Sequence, residues 1–262
     1  MLRLLLTKFK NLLLLLLIGT MVFTTINTAH AEDYFTYRVE NDYIEITVDS
    51  MQQQYRQCDV IVRAGEYYGK PGKRIYVNNA TVTIPDDIPI RNDYDGKGFY
   101  VHENDINIKE SKALVAKLRA MGINAQLQIA SDKSQDLNAA GRIANQSNPY
   151  LYLSIHHNSY ESNSTGYFGM YNPNDKQGQE IANRLTNAIR DNNQIPQRTN
   201  RENTGYIGEM NTINSTTTPV LLELGFFSNI DELEIICSNS YVDYVSTNLA
   251  NEIRDILNEN YN

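Results

Sequence analysis

The sequence predicts one α/β domain built on a mostly parallel, twisted sheet with helices on both faces. Three observations predict it. Strand-like segments alternate with segments whose apolar residues recur every three or four positions, the order expected of successive βαβ units. Two short runs, 150–155 and 219–227, are apolar almost throughout, as strands covered on both faces are. Behind an N-terminal leader roughly 230 residues remain, enough for one such domain and hardly for two.

The leader comes first in the chain. Arg3, Lys8 and Lys10 give a positive start, an apolar stretch runs from Leu12 to Phe23, and Ala29-His30-Ala31 has the small-x-small form of a signal-peptidase site. Residues 1–31 therefore read as a signal peptide, with the mature, secreted chain starting near Glu32. The apolar stretch is shorter than the ~20 residues of a spanning helix, so no stable membrane insertion is expected after cleavage, a retained membrane anchor being the plainer alternative. Losing those three cations leaves 20 basic against 31 acidic residues, and the net charge falls from −8 to −11. So acidic a chain has no electrostatic reason to bind nucleic acid or an anionic membrane. Cys58 and Cys237 permit a disulfide in a secreted chain, but two separately buried thiols is the simpler expectation, and no Cys-rich metal spacing is present.

Residues 32–57 form a lead-in segment whose alternating run, Tyr43 to Val48, reads as an edge strand. Cys58 to Val62 is a β-branched strand ending in a turn at Ala64-Gly65. From 67 to 98 the chain is rich in Gly, Pro, Asn and Asp, an inserted loop or small hairpin with one β-like stretch at 80–84. A helix over 105–121 buries Ile108, Leu114, Val115, Leu118 and Met121, and Gly122 closes it. Strand 123–129, helix 136–146, strand 150–155, strand 167–171 and a long helix over 174–191 follow. Strand 219–227 precedes a last helix whose stripe is Val242, Val245, Leu249, Ile253 and Ile256.

In such a sheet ligands bind outside the carboxyl ends of the strands. Glu66, Glu103, His156 and Glu223 all fall at or near those ends. Glu223 stands out, because a carboxylate inside the run Pro219-Val-Leu-Leu-Glu-Leu-Gly-Phe-Phe227 is costly to bury without a partner or a task. One imidazole and several carboxylates on one rim suit a divalent ion. Each residue also has a plainer reading: a solvated turn acid for Glu66, a helix-entrance acid for Glu103, a core histidine for His156, and an ion pair, for instance with Arg142, for Glu223. His157, next on the strand, points to the opposite face and reads as a residue behind the site. Tyr67, Tyr68, Tyr167 and Tyr171 are candidates to line a groove.

In these pieces the chain resembles the zinc-dependent N-acetylmuramoyl-L-alanine amidases of the amidase-3 type, from about Cys58 to Asn258. Val60-Ile-Val-Arg-Ala-Gly65 resembles the strand-turn that carries the first zinc ligand, and Glu103 the acid ahead of the first helix. Ser154-Ile-His156 resembles the segment of the second histidine, and Pro219 to Asn229 that of the catalytic glutamate. The resemblance implies that residues 58–262 are a catalytic domain acting on peptidoglycan in the extracytoplasmic space or cell wall. It implies that Glu103 and His156 bind Zn²⁺, and that Glu223 is the general acid/base in hydrolysis of the bond between N-acetylmuramic acid and L-alanine by a zinc-bound water.

The chain departs from the family at one position. Where the family carries a histidine after the glycine of the first strand-turn, this chain has Glu66. Zinc accepts carboxylate oxygen at nearly the distance of imidazole nitrogen, so Glu66 is the expected third ligand. Two carboxylates neutralise more of the ion's charge and leave its water less acidic. The expected consequences are slower catalysis, another divalent preference, or a second reading altogether: an impaired domain that binds wall peptide or regulates another hydrolase. A metallopeptidase of the common helical kind is disfavoured by the lack of HExxH.

Overall fold

The computed structural model describes residues 34–40, 43–48, 58–67, 74–77, 83–92, 99–130, 137–191, 194–205 and 207–261. The signal peptide expected over 1–31 lies outside the described residues. So do Tyr68, the side chain of Tyr67, and most of the β-like stretch at 80–84, of which Thr83 and Ile84 are not in a strand. Among the described residues no helix is long and apolar enough to cross a membrane.

The strands are β1 (Tyr34–Glu40), β2 (Tyr43–Val48), β3 (Val60–Tyr67), β4 (Arg74–Val77), β5 (Arg91–Asn92), β6 (Phe99–His102), β7 (Ala125–Ala130), β8 (Leu151–Asn158), β9 (Phe168–Tyr171), β10 (Arg201–Glu202) and β11 (Thr218–Phe226). The helices are α1 (Glu103–Ala120), α2 (Leu137–Ser147), α3 (Lys176–Ala188), α4 (Gly208–Asn211), α5 (Ile230–Cys237) and α6 (Asn239–Tyr261). The main sheet has the order β10-β9-β11-β8-β3-β7-β1-β2, and the run β11, β8, β3, β7, β1 is parallel throughout. The mostly parallel α/β sheet expected from the sequence is therefore the fold. The lead-in contributes more than one edge strand: β1 and β2 form a hairpin that extends the sheet beyond β7, with β2 outermost as expected. The segment 67–98 includes β4 and β5, which pair with β6 in a separate three-stranded sheet.

Side-chain alternation along each strand sorts residues to two faces. Val60, Val62 and Ala64 of β3, Leu151, Leu153 and Ile155 of β8, and Val220, Leu222 and Leu224 of β11 join the large core with α1, α3, α5 and α6. On the other face Cys58, Ile61 and Tyr152 pack against Ala144 of α2. Cys58 and Cys237 are both free and buried, Cys237 in the first core, in keeping with two separate thiols. Tyr167 and Tyr171 do not line a groove. Their rings are core residues, and their hydroxyls are used inside the fold, Tyr167 donating to Thr186 O (3.1 Å) and Tyr171 accepting from Gln179 Nε2 (2.9 Å).

The connections place the site. From β3 the chain crosses through α1 to β7 on one side, then returns through α2 to β8 on the other side of β3. The direction of winding reverses between β3 and β8, so the helices leaving them diverge and a crevice opens at their carboxyl ends. Glu66 and His156 are the residues there.

Candidate metal centre

Glu66 reaches the crevice because β3 breaks its register. Pairing with β7 slips between Ala64 and Tyr67, and Glu66 takes a left-handed backbone conformation, φ 61°. A non-glycine residue there costs of order 1 kcal/mol or more and persists only when its surroundings fix it. Here the Gly65 carbonyl accepts from both Asn104 Nδ2 and Asn107 Nδ2, each at 3.1 Å, which ties the turn to the first two turns of α1.

Glu103 is the first residue of α1, after His102 at the N-cap position. Its carboxylate lies where the helix dipole favours negative charge, and Oε1 accepts from Asn107 Nδ2 at 3.2 Å. Asn107 is fixed from behind by His157, whose Nδ1 is 2.8 Å from Asn107 Oδ1. Burial lowers the pKa of His157 to about 3, so the ring is neutral, and Nδ1 must be its donor because Asn107 presents an oxygen. His157 thus stands behind the site, one residue removed from Glu103.

His156 lies on the opposite face of β8, its ring over Gly65. A Cβ at Gly65 would fall 2.4–2.5 Å from three of the ring atoms, so only glycine leaves room for the imidazole. His156 Nδ1 is 3.2 Å from Glu103 Oε1. Glu223 is the register partner of His156 on β11 and shares its face. The register of β11 shifts just beyond it, and Glu232 of α5 holds the strand end by accepting from Phe226 N (2.6 Å) and, from the segment before β9, Gly166 N (2.8 Å). Glu223 Oε2 is buried without a hydrogen-bond partner among the described residues.

The structure adds two residues that the sequence reading passed over. Arg63 of β3 is fully buried and pairs with Glu209 of the short helix α4, Nη1 to Oε2 2.7 Å, with Glu209 only 1% exposed. Glu209 Oε1 lies 3.8 Å from His156 Nε2. Arg63 was legible by the reasoning that singled out Glu223, since an arginine inside the run Val60 to Ala64 needs a buried acid. Nothing local in Gly208-Glu-Met-Asn211 marks Glu209.

The crowding of acids shifts their protonation. Burial pushes Glu223 up to about 8, with His156 opposing and Glu103 and Glu66 reinforcing the rise, and burial likewise raises Glu66, helped by Glu103. Burial alone would depress His156, but the neighbouring carboxylates of Glu103 and Glu209 override it and hold the ring well above its ordinary range. Glu209 is lowered, its burial being outweighed first by Arg63. For Glu66, Glu223 and His156 the folded chain keeps protons that the unfolded chain releases. The stability they contribute is complete below their ordinary values, 4.5 for the acids and 6.5 for the histidine, and is lost as pH rises through the folded ones. The depressed pKa of Glu209 acts with the opposite sign, below 4.5. In chelator, the melting temperature is expected to fall steadily from about pH 5 to about pH 8 and Glu223→Gln to flatten the slope, as calorimetry can check.

One donor atom from each of Glu66, Glu103 and His156 lies within 4.8 Å of the others. Donors bound to zinc at about 2.0–2.1 Å in a tetrahedron stand roughly 3.3 Å apart, close to the 3.2 Å between Glu103 and His156. The donor set, the spacing and the unpartnered oxygen of Glu223 beside it fit a divalent ion.

The family model for N-acetylmuramoyl-L-alanine amidases matches residues 92–255, well over half of the chain. The chain belongs to that family. Within the matched span lie Glu103, His156, Glu209 and Glu223, whereas Glu66 precedes it. The fold agrees with solved amidase structures. An N-acetylmuramoyl-L-alanine amidase from Clostridium difficile 630 is 19% identical with a TM-score of 0.57, the match covering 78% of this chain and 98% of that one. AmiC2 of Nostoc punctiforme is 20% identical with a TM-score of 0.56, covering 77% and 97%. The catalytic domain of CwlV from Bacillus (Paenibacillus) polymyxa var. colistinus is 20% identical with a TM-score of 0.56, covering 77% and 99%. No curated protein matches the sequence. For an amidase of this family, the chain keeps its ionisable groups at the crevice between β3, β8 and β11, with a carboxylate at the end of β3.

Proposed function

We propose that this amidase hydrolyses the amide bond between N-acetylmuramic acid and L-alanine in peptidoglycan, outside the cytoplasm, with Glu66, Glu103 and His156 holding a zinc ion. The gathering of those three donors beside the buried carboxyl of Glu223 carries the reading. A zinc ion bound there supplies a Lewis acid for the amide carbonyl and lowers the pKa of a bound water. Glu223 supplies the proton transfer. Its carboxylate takes a proton from the attacking water and returns it to the leaving alanine nitrogen. Its Oε2, buried without a hydrogen-bond partner among the described residues, is left free to meet that water. Asn107 keeps Glu103 pointed inward, and Asn104 and Asn107 keep the Glu66 turn in place.

A second reading, an impaired domain that binds wall peptide or regulates another hydrolase, is favoured by one observation: the site carries Glu66 where the family has histidine. Glu66→His decides between them. The variant is expected to bind zinc more tightly and to release wall peptide faster, measured by metal content after dialysis and by release of peptide from purified peptidoglycan. A wild type that retains zinc yet releases nothing, with a variant that gains activity, establishes the second reading. A chain that takes up no zinc in either form defeats the metal centre itself.

A further inference from the structure

The ion pair of Arg63 and Glu209 is part of the site, although neither residue belongs to the donor set. It lies on the His156 face of the sheet. Arg63 and Ser154 are register partners, and Ser154 and His156, two apart on β8, share a face. Arg63 Nη1 also lies 3.5 Å from Ser154 Oγ. Glu209 is delivered from the far side by α4, which sits close to α2 because Gly141 has no side chain. A Cβ at Gly141 would lie 2.5 Å from the Glu209 carbonyl and 2.1 Å from Thr212 Oγ1. The approach to α4 is fixed by Asn203, which is buried, accepts from Gly205 N and Ile207 N, and donates to Ile207 O.

The imidazole of His156 is therefore held between two carboxylates. Nδ1 faces Glu103 at 3.2 Å, a spacing that suits two donors of one ion. Nε2, buried and without a hydrogen-bond partner among the described residues, faces Glu209 Oε1 at 3.8 Å. A metal-bound histidine generally donates its other ring N–H to a carboxylate or carbonyl, which fixes the tautomer and the ring plane. Arg63 keeps that carboxylate charged and aimed from below.

We propose that Glu209 is a positioning residue for His156: anchored by Arg63, its carboxylate closes the 3.8 Å gap, accepts a hydrogen bond from Nε2–H, and so keeps the proton on Nε2 and presents Nδ1 to the ion shared with Glu66 and Glu103. The proposal rests on the reading of His156 as a metal ligand. It makes the buried pair an orienting device rather than a piece of core packing.

The test uses the full chain and zinc alone. Two readouts serve: the zinc dissociation constant from competition with a chromogenic chelator, and the long-range ¹H–¹⁵N spectrum of the zinc-loaded protein, which shows which nitrogen of His156 carries the proton. The decisive variant replaces both partners, Arg63→Met with Glu209→Met, so that no lone charge is buried. Wild type is expected to show a protonated Nε2, and the double variant to bind zinc about 10- to 100-fold more weakly with that proton signal lost. If the double variant does not fold, Arg63→Gln with Glu209→Leu, which also buries no lone charge and leaves no acceptor at 209, carries the same two readouts. Wild-type affinity with an unchanged nitrogen pattern in the variant overturns the proposal, as does a wild-type spectrum with the proton on Nδ1. A wild type that binds no zinc instead brings down the ligand assignment on which the proposal rests.

Discussion

Replacing Glu223 with glutamine is expected to slow amide hydrolysis by about 100- to 10,000-fold, the range that one positioned acid/base supplies, while the zinc content stays that of wild type. Glutamine has nearly the shape of the protonated carboxyl and cannot take a proton from water, so chemistry is removed without disturbing the packing of β11. The loss should fall on kcat rather than KM, because the group acts on the reacting atoms and not on substrate affinity. The fold should tolerate the change well, since Glu223 is costly to ionise where it stands. Substantial turnover in Glu223→Gln would move the proton transfer to another group, and loss of zinc from it would move Glu223 into the donor set.

The second large effect is expected at Gly65, which carries no functional atom. A methyl group there would meet the His156 ring at 2.4–2.5 Å, and neither side can yield easily. The Gly65 carbonyl is fixed by two asparagines of α1, and the ring lies between Glu103 and Glu209. Gly65→Ala should displace the imidazole by about an ångström, a misplacement that costs on the order of 100-fold in activity, with a parallel loss of zinc affinity by titration calorimetry. The β-sheet itself should survive, so circular dichroism is expected to change little. Normal zinc binding in this variant would mean that the ring is free to move.

Much of this was legible in the sequence because it rests on periodicity and on the cost of burying charge. The two apolar runs that became β8 and β11 are strands covered on both faces, and the acid interrupting the second stands beside His156. The ordering of Glu66, Glu103 and His156 at strand and helix ends placed all three at the crevice. What escaped depended on contacts between distant segments. Helix α5 escaped because it is short and follows β11 directly, although Asn229 caps it by accepting from Asp231 N and Glu232 N. Strand β1 gains its place by pairing with β2 on one side and with the distant β7 on the other. Glu209 looks like a surface acid in a polar loop until α4 docks on α2, and Tyr167 and Tyr171 look like groove residues until their hydroxyls find partners inside the fold.

Glu66 and Glu103 lie at the two ends of one long segment, and both ends are already secured, one by the asparagines of α1 and the other by the start of that helix. The entropy of closing that segment is borne by the scaffold, and each doubling of its length would cost only about 0.6 kcal/mol. Added length between the strands of that segment is therefore cheap, while loss of Ile88 or Val101, which join the core, or a change of a single atom at Gly65 is not. The protein is built so that its outer contours can diversify over evolutionary time around a centre that tolerates almost no displacement.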